Sequence, residues 1–503
     1  AHSHQQLIAA VSDVGFLEDL DPGGGHHAEH GDGCAAQYRW RNRGHQERRL
    51  GQQAEDDQQA TGDDGHGTAA HPGHLHQADV LREGGVGEGV EETGEERRTG
   101  ITQQATAQHA RADFLAGDLA QGDEHPGGLD ENDHHHQAHR QDRRQLELGH
   151  AEVQRRHQVG LDNQRKEAVT KRHGQGRLTA RENINLLIDE GSLVEYGPTV
   201  VAAQRRRRSL DDLIIKTPAD GLVGGLASIN GSLFSGHDSR VVVMSYDYAV
   251  LAGTQGQQNH RKKDRLFDVA EKLQLPVVFF AEGGGGRPGD TDGLGVSGLD
   301  CWAFHDFAKL SGLVPLIGVT GGFCFAGNAA ILGCCDVVIA LEGSNIGMGG
   351  PAMIEGGGLG VFAPQEIGPL SVQQVNGVVD LVARDDAHAV ELVKKYLAYF
   401  QGSTRDFTVH DQDQLRTAIP INRVKTYDVR NVIELMFDVD SVLELRSGFG
   451  LGMITALARV QGKPVGVIAN NPHHLSGAID SDGADKASRF MQLSDAFDIT
   501  LIT

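Results

Sequence analysis

Three stretches of this sequence place glycines directly after short apolar runs. The run Leu275–Phe280 opens into Glu282-Gly283-Gly284-Gly285-Gly286-Arg287. The run Leu313–Thr320 opens into Gly321-Gly322-Phe323-Cys324-Phe325-Ala326-Gly327-Asn328, and Asp336–Leu341 leads to Ile346-Gly347-Met348-Gly349-Gly350-Pro351. A glycine at a strand end lets backbone N–H groups face a ligand with no Cβ in the way, which suits an anionic or carbonyl oxygen. A single glycine loop reads equally well as a flexible surface turn. Its repetition after three buried-looking runs argues for a geometric need. Side-chain chemistry is harder to find. There is no Ser-His-Asp or paired-carboxylate signature, and His260 and His305 stand alone and read as structural. The five cysteines (Cys34, Cys301, Cys324, Cys334 and Cys335) show no CxxC spacing and read as reduced thiols of a cytoplasmic protein, with no bound metal.

The elements that must position these loops follow from local pattern. Continuous apolar runs of this length, bounded by turns, predict buried parallel strands. Arg265–Leu273 predicts an amphipathic helix, preceded by a polar connection over Ala252–Lys263, and Ala329–Cys335 predicts a small-residue helix. Upstream, Thr179 and Glu182 form a capping-box pair ahead of a helical stripe of Ile184, Leu187 and Ile188, with Gly191 as its stop. Asp220–Gly231 and Arg240–Tyr246 predict two strands, and Asn230-Gly231 predicts a two-residue hairpin turn. Asp482–Phe497 predicts a helix, and Leu501 and Ile502 the start of a strand.

Composition divides the chain. Of its 503 residues, the first 165 contain no Lys and no Met, but 18 of the 26 His. They hold 15 Arg against 30 Asp and Glu, and so supply −15 of the net charge of −23. So few apolar residues cannot offset the entropy of ordering. Residues 1–165 therefore read as disordered, or as translation of the wrong strand or frame. The run His134-His135-His136 lacks partners that would set a ligand geometry. The acidic balance argues against nucleic acid as a partner, and no run of 18 apolar residues argues for a membrane span.

After Lys166 the text resembles a known family. Gly174–Gly197, GQGRLTARENINLLIDEGSLVEYG, is similar to the opening helix motif of the carboxyltransferase (beta) subunit of biotin-dependent acyl-CoA carboxylases, of acetyl- or propionyl-CoA carboxylase type. The three glycine loops match its order. Near the end, GFGLGMITALARVQGKPVGVIANNP and HLSGAIDSDGADKASRFMQLSDAFDITLIT resemble the start of that family's C-terminal domain. The resemblance covers residues 166–503. It implies an α/β crotonase-like (ClpP/crotonase) fold, with an N-terminal domain over 166–410 and the beginning of a second over 411–503. Thr503 falls on the strand that in the family leads to a second glycine loop, so a C-terminally truncated second domain is expected.

The resemblance further implies transfer of a carboxyl group from carboxybiotin to the α-carbon of an acyl-CoA. Carboxybiotin would sit on a separate carrier, since neither an AMKM-type biotinylation site nor an ATP-grasp pattern occurs here. The implied partners are acyl-CoA, a biotin carboxylase and a biotinyl carrier, and the intact family forms homo-oligomers. The backbone N–H groups of Gly285, Gly286, Ala326 and Gly327 are the implied oxyanion donors for a thioester enolate. Gly284, Arg287 and Asn328 would bind CoA or fix the loops. The Glu282–Arg287 loop departs from the commoner Asp-Ser-Gly-Gly-Ala-Arg form, which leaves acyl length open. Rival readings are a biotin-dependent decarboxylase subunit running the reverse reaction, and a non-catalytic gene-model fragment.

Overall fold

The computed structural model describes residues 148–292, 301–422 and 424–503. The readings made on residues 1–147 lie outside the described residues. Packed structure begins upstream of the composition break at Lys166. Residues 148–159 are helical, and polar anchors tie the segment behind them to the fold. Arg165 pairs with Asp247, Arg181 Nε donates to Gly160 O at 2.8 Å, and Thr179 Oγ1 donates to Asp162 Oδ2 at 2.6 Å. Polar contacts do most of the holding, with Val159 packed on a hydrophobic cluster of Val201, Ala202, Leu213 and Ile214, so hydrophobic content gave little sign of this stretch.

Helix α1 spans Lys166–His173 and α2 spans Ala180–Leu187. The capping box at α2 forms as expected: Glu182 N donates to Thr179 Oγ1 at 3.1 Å, and Thr179 N to Glu182 Oε2 at 2.8 Å. The helix ends at Leu187, before Gly191, which instead occupies a left-handed turn at φ 71°.

Among the described residues, nine strands lie between positions 194 and 383: β1 Val194–Glu195, β2 Leu222–Ser228, β3 Arg240–Tyr246, β4 Val277–Phe280, β5 Leu316–Thr320, β6 Phe323–Phe325, β7 Val337–Leu341, β8 Asn345–Gly347 and β9 Leu381–Ala383. Seven of them make one sheet in the order β1-β2-β3-β4-β5-β7-β9, antiparallel up to β3 and parallel from β3 to β9. The short strands β6 and β8 pair with each other in parallel, and β6 bridges through Cys324 to Gly283. The expected hairpin between β2 and β3 is antiparallel, but its connection is longer than two residues. Ile229 N bonds to Ser239 O, and Asn230, at φ 61°, only starts the loop.

Four further helices, in chain order α3 Gln257–Leu273, α4 Ala303–Lys309, α5 Gly327–Gly333 and α6 Asp386–Gln401, flank this sheet or lead out of its loops. Others span Leu210–Lys216, Pro351–Gly356 and Leu370–Gln373. Helix α3 starts well inside the stretch read as a polar connection. Strand alternation decides which layer each side chain joins. Val241 and Val243 face one cluster with Ile184, Leu187, Val393 and Tyr396, whereas Val242 and Met244 face another with Leu266, Phe267 and Phe307. Helices α2 and α6 therefore cover one face of the sheet, and α3 and α4 the other. This is the α/β layering expected of a crotonase-like unit.

The remainder forms a second sheet from β10 Leu443–Leu445, β11 Met453–Val460, β12 Lys463–Asn470 and β13 Thr500–Ile502, packed by α7 Ser481–Ala496. Leu445, Leu457, Phe490 and Leu493 share a hydrophobic cluster with Val393 and Tyr396, so apolar packing is continuous past position 410. Among the described residues no helix is long and apolar enough to cross a membrane.

Candidate active site

Strand β4 runs on through Ala281, whose N–H bonds to Val319 O at 2.8 Å, and then delivers the first glycine loop. That loop is zipped to β6. Gly283 N donates to Phe323 O at 2.8 Å, and Phe325 N donates to Gly283 O at 2.9 Å. The loops holding Gly283–Arg287 and Phe325–Asn328 thus lie side by side, as the family resemblance requires. The approach is too close for any other residue at Gly283: a Cβ there would sit 2.3 Å from both Asn328 Nδ2 and Gly253 O. Gly285, at φ 88°, would bring a Cβ to 2.8 Å from Ala326 Cβ.

The N–H groups of the four candidate donors have different fates. Gly285 N donates to Asn328 Oδ1 at 3.1 Å, and Ala326 N donates to Gly347 O at 2.9 Å. These two bonds hold the loops to each other and to β8. Among the described residues no acceptor meets the N–H of Gly286 or of Gly327. The reason at Gly286 is the parallel bridge it makes with Gln255. Gln255 N donates to Gly285 O at 2.7 Å and accepts, through its own carbonyl, from Arg287 N at 2.8 Å. In a parallel bridge the bracketed residue turns its own N–H to the opposite side. A Cβ on Gly286 would meet nothing within 4 Å, so that residue borders open space. Gly327 is the first residue of α5, where helix geometry leaves the N–H without an intrahelical acceptor. Ala326 before it takes φ 51° and ψ −121°, a conformation costly for a residue with a Cβ.

The other three candidates fix the loops. Gly284 N donates to Ala252 O at 3.1 Å. Asn328 is fully buried and uses its whole amide. Its Oδ1 accepts from Gly285 N and from Gln255 Nε2 at 3.2 Å, while Nδ2 donates to Gly253 O at 3.3 Å and Ala281 O at 3.2 Å. Arg287 turns inward. Its Nη1 lies 2.5 Å from Asp220 Oδ1, and Nη2 donates to Thr254 O at 2.9 Å. Burial pushes the Asp220 carboxyl above its ordinary range, against the pull of Arg287. Glu282 also turns away from the loop, into a two-pronged pair with Arg172 at 3.0 and 2.5 Å.

Two further residues escaped the sequence reading. Gln255 lay in the supposed connection, and nothing local marks it. Lys263 is fully buried, and its Nζ donates to Tyr246 Oη at 2.6 Å and to Gln255 Oε1 at 2.7 Å. One signal existed: Lys263 shares a helical stripe with Leu266, Phe267 and Ala270, all buried, and a lysine is out of place there. His260 is half-buried beside Cys301 Sγ at 3.1 Å. Burial, with Lys263 and Arg287 nearby, lowers its pKa to about 3, so the ring is neutral. His305 lies at the surface against Asp306.

Residues 171–503 match the family model described as the carboxyl transferase domain. The chain is 32% identical over 348 residues to the methylmalonyl-CoA carboxyltransferase 12S subunit of Propionibacterium freudenreichii subsp. shermanii, covering 66% of this chain and 63% of that one. It is 31% identical over 376 residues to the biotin-dependent long chain acyl-coenzyme A carboxylase beta4 subunit of Mycobacterium tuberculosis, covering 70% and 66%. Among solved structures it is similar to a single-chain, multi-domain long-chain acyl-CoA carboxylase, at 57% identity and a TM-score of 0.69, over 70% of this chain and 35% of that one. It is also similar to the transcarboxylase 12S hexamer with methylmalonyl-coenzyme A bound, at 29% identity and a TM-score of 0.60, over 70% and 67%. The chain thus spans a little under two thirds of the curated relatives it matches first.

Proposed function

The chain belongs to the carboxyl transferase domain family, and from that premise we propose that it transfers a carboxyl group from carboxybiotin to the α-carbon of an acyl-CoA. The observation that carries this reading is the pair of N–H groups without an acceptor among the described residues, Gly286 on one loop, beside open space, and Gly327 at the start of α5 on the next. Their neighbours Gly285 and Ala326 spend their N–H groups on holding that arrangement. Gly286 and Gly327 are therefore the assigned oxyanion donors, and Gly284, Arg287 and Asn328 fix the loops.

Carboxybiotin, carried on a separate biotinyl domain or subunit charged by a biotin carboxylase, supplies CO2 and the base for the α-proton. The task left to this chain is to hold the thioester and favour its enolate. Two N–H donors aimed at the carbonyl oxygen stabilise the charge that builds there as the α-proton leaves. Holding the acyl α-carbon in fixed register with the incoming carboxyl group removes the entropic cost of their meeting. No side-chain nucleophile is required, which fits a site built from backbone.

The 57% identity to a long-chain acyl-CoA carboxylase supports a fatty acyl-CoA as substrate. The hexamer of the 12S relative supports a homo-oligomer. Within the chain, residues 166–410 would be the N-terminal carboxyltransferase domain and 411–503 the start of the C-terminal one. A cytoplasmic location fits cysteines without disulfides among the described residues. The test combines this chain with ATP, radiolabelled bicarbonate, a biotin carboxylase, a biotinylated carrier and either palmitoyl-CoA or acetyl-CoA, alongside calorimetric titration of each thioester. Palmitoyl-CoA should bind and direct label into an acid-stable product. Absence of both thioester binding and labelling would overturn the reading; a preference for acetyl-CoA would overturn the fatty-acyl assignment alone.

A further inference from the structure

Lys263 sits two hydrogen bonds behind the glycine loops and has no role in the reading above. It is fully buried on α3, and among the described residues no carboxylate pairs with it. Its partners are neutral: Tyr246 Oη at 2.6 Å and Gln255 Oε1 at 2.7 Å, with the Tyr246 ring 5.3 Å from Nζ. An ammonium buried without a counter-ion is costly, so its retention at this point calls for a reason.

Hydrogen-bond direction supplies one. An ammonium can only donate. Gln255 must therefore turn Oε1 towards Lys263, which leaves Nε2 to donate to Asn328 Oδ1 at 3.2 Å. That same oxygen accepts Gly285 N–H at 3.1 Å, while Asn328 Nδ2 is occupied by two backbone carbonyls. The orientation of a side-chain amide is ordinarily ambiguous. Here Lys263 settles it at one end, and the Gly285 N–H with the carbonyls of Gly253 and Ala281 settles it at the other. Gln255 also brackets Gly286 through its backbone, and its Nε2 lies 3.0 Å from where a Cβ on Gly327 would stand. One glutamine thus touches both loops, and one lysine sets that glutamine.

We infer that Lys263 is a positioning residue for the oxyanion donors: it orients Gln255 and places a positive charge behind the loops, which favours the enolate over the neutral thioester. The inference rests on the oxyanion assignment of Gly286 and Gly327. The surroundings make the effect depend on pH. Burial lowers the Lys263 pKa to about 7, with Cys301, Asp264 and Asp220 pulling the other way. Of the groups facing it, Tyr246 is held well above its usual range and stays neutral, and His260, at about 3, is neutral as well. Asp220 is tied to Arg287, and burial raises Asp264 to about 6. As pH rises through neutrality Lys263 loses its charge, and the polarisation it lends should fade.

The experiment reads the carbonyl itself. The full chain is loaded with palmitoyl-CoA carrying 13C at the thioester carbon, and the isotope-edited infrared band is followed on both sides of neutral pH. In the wild type the band should lie below that of free ligand, and the displacement should shrink as pH rises. Lys263→Met should bind the ligand but show a smaller displacement that no longer varies with pH. Gln255→Met leaves Lys263 on Tyr246 and cuts the relay, so it should show a smaller displacement, of which only the part due to the Lys263 charge still varies with pH. It stands in if Lys263→Met does not fold, which a thermal melt decides. A wild-type band and pH dependence in either folded variant would overturn the inference while leaving the oxyanion assignment intact. No displacement in the wild type would overturn that assignment, and the inference with it.

Discussion

Arg287 Nη1 lies 2.5 Å from Asp220 Oδ1, in a contact where the arginine side chain is 4% exposed and the aspartate 0%. The pair ties the end of the first glycine loop to the start of β2, and Asp220 Oδ2 also accepts the Asn259 N–H at 2.8 Å. An arginine at the mouth of a CoA-type site invites assignment to a phosphate. Its guanidinium is instead spent on Asp220 and Thr254.

Removing one member of this pair leaves the other charge buried and alone. Arg287→Met or Asp220→Ala should each cost about 3–5 kcal/mol of unfolding free energy. Urea unfolding of the two variants checks this. A loss within about 0.5 kcal/mol, as for an exposed pair, would mean that solvent reaches the contact.

The two ends of the glycine run should respond differently to a methyl group. Gly283→Ala would press its Cβ to 2.3 Å from Asn328 Nδ2 and Gly253 O, whereas Gly286→Ala meets nothing within 4 Å. The first should lose about 1–3 kcal/mol through overpacking, and the second less than about 0.5 kcal/mol. Melting temperatures of both variants decide it, and equal losses would show that the loops do not approach as described.

Ala326 carries a Cβ at φ 51° and ψ −121°. Glycine adopts that region without steric cost. Ala326→Gly should therefore gain about 1 kcal/mol, the strain relieved less the added freedom of the unfolded chain. Denaturant midpoints compare the two, and a loss of stability would contradict the strained geometry.

Lys263 should mark the pH dependence of stability. Its folded pKa is lowered to about 7 from an ordinary 10.5, chiefly by burial. Between those values the unfolded chain holds a proton that the folded one has released, so stability rises with pH across that window. Below it both states are protonated, and the full penalty of the buried charge remains. Lys262, lowered to about 8 by burial, adds in the same direction. Urea titrations across the window should show the rise in the wild type and a shallower one in Lys263→Met. Parallel curves would show that folded Lys263 keeps its proton across the window.

Much of the first unit was legible because its signals are local. Apolar runs of six to eight residues led into glycine loops, and those runs became β4, β5 and β7, parallel and adjacent in the sheet. The Thr179–Glu182 capping box lies within four residues and formed as read. Where the readings slipped, the cause lay further along the chain. Asn230-Gly231 looked like a whole turn, but the bond from Ile229 to Ser239 holds a longer loop. Helix α3 begins at Gln257 among residues with no apolar pattern, because Asp220 and Asp290 receive the N–H groups of Asn259 and Gln257.

The order of loops and the residues in them were set by sequence alone. Which N–H groups remain open was not. Gly285 and Gly286 are chemically identical neighbours. They differ because Asn328, 43 positions on, takes the hydrogen of one, and Gln255, 31 positions back, brackets the other. Lys263, Gln255 and Asn328 likewise carry no shared motif. A hydrogen bond's direction depends on what lies across the gap, and only folding brings those partners to the same place.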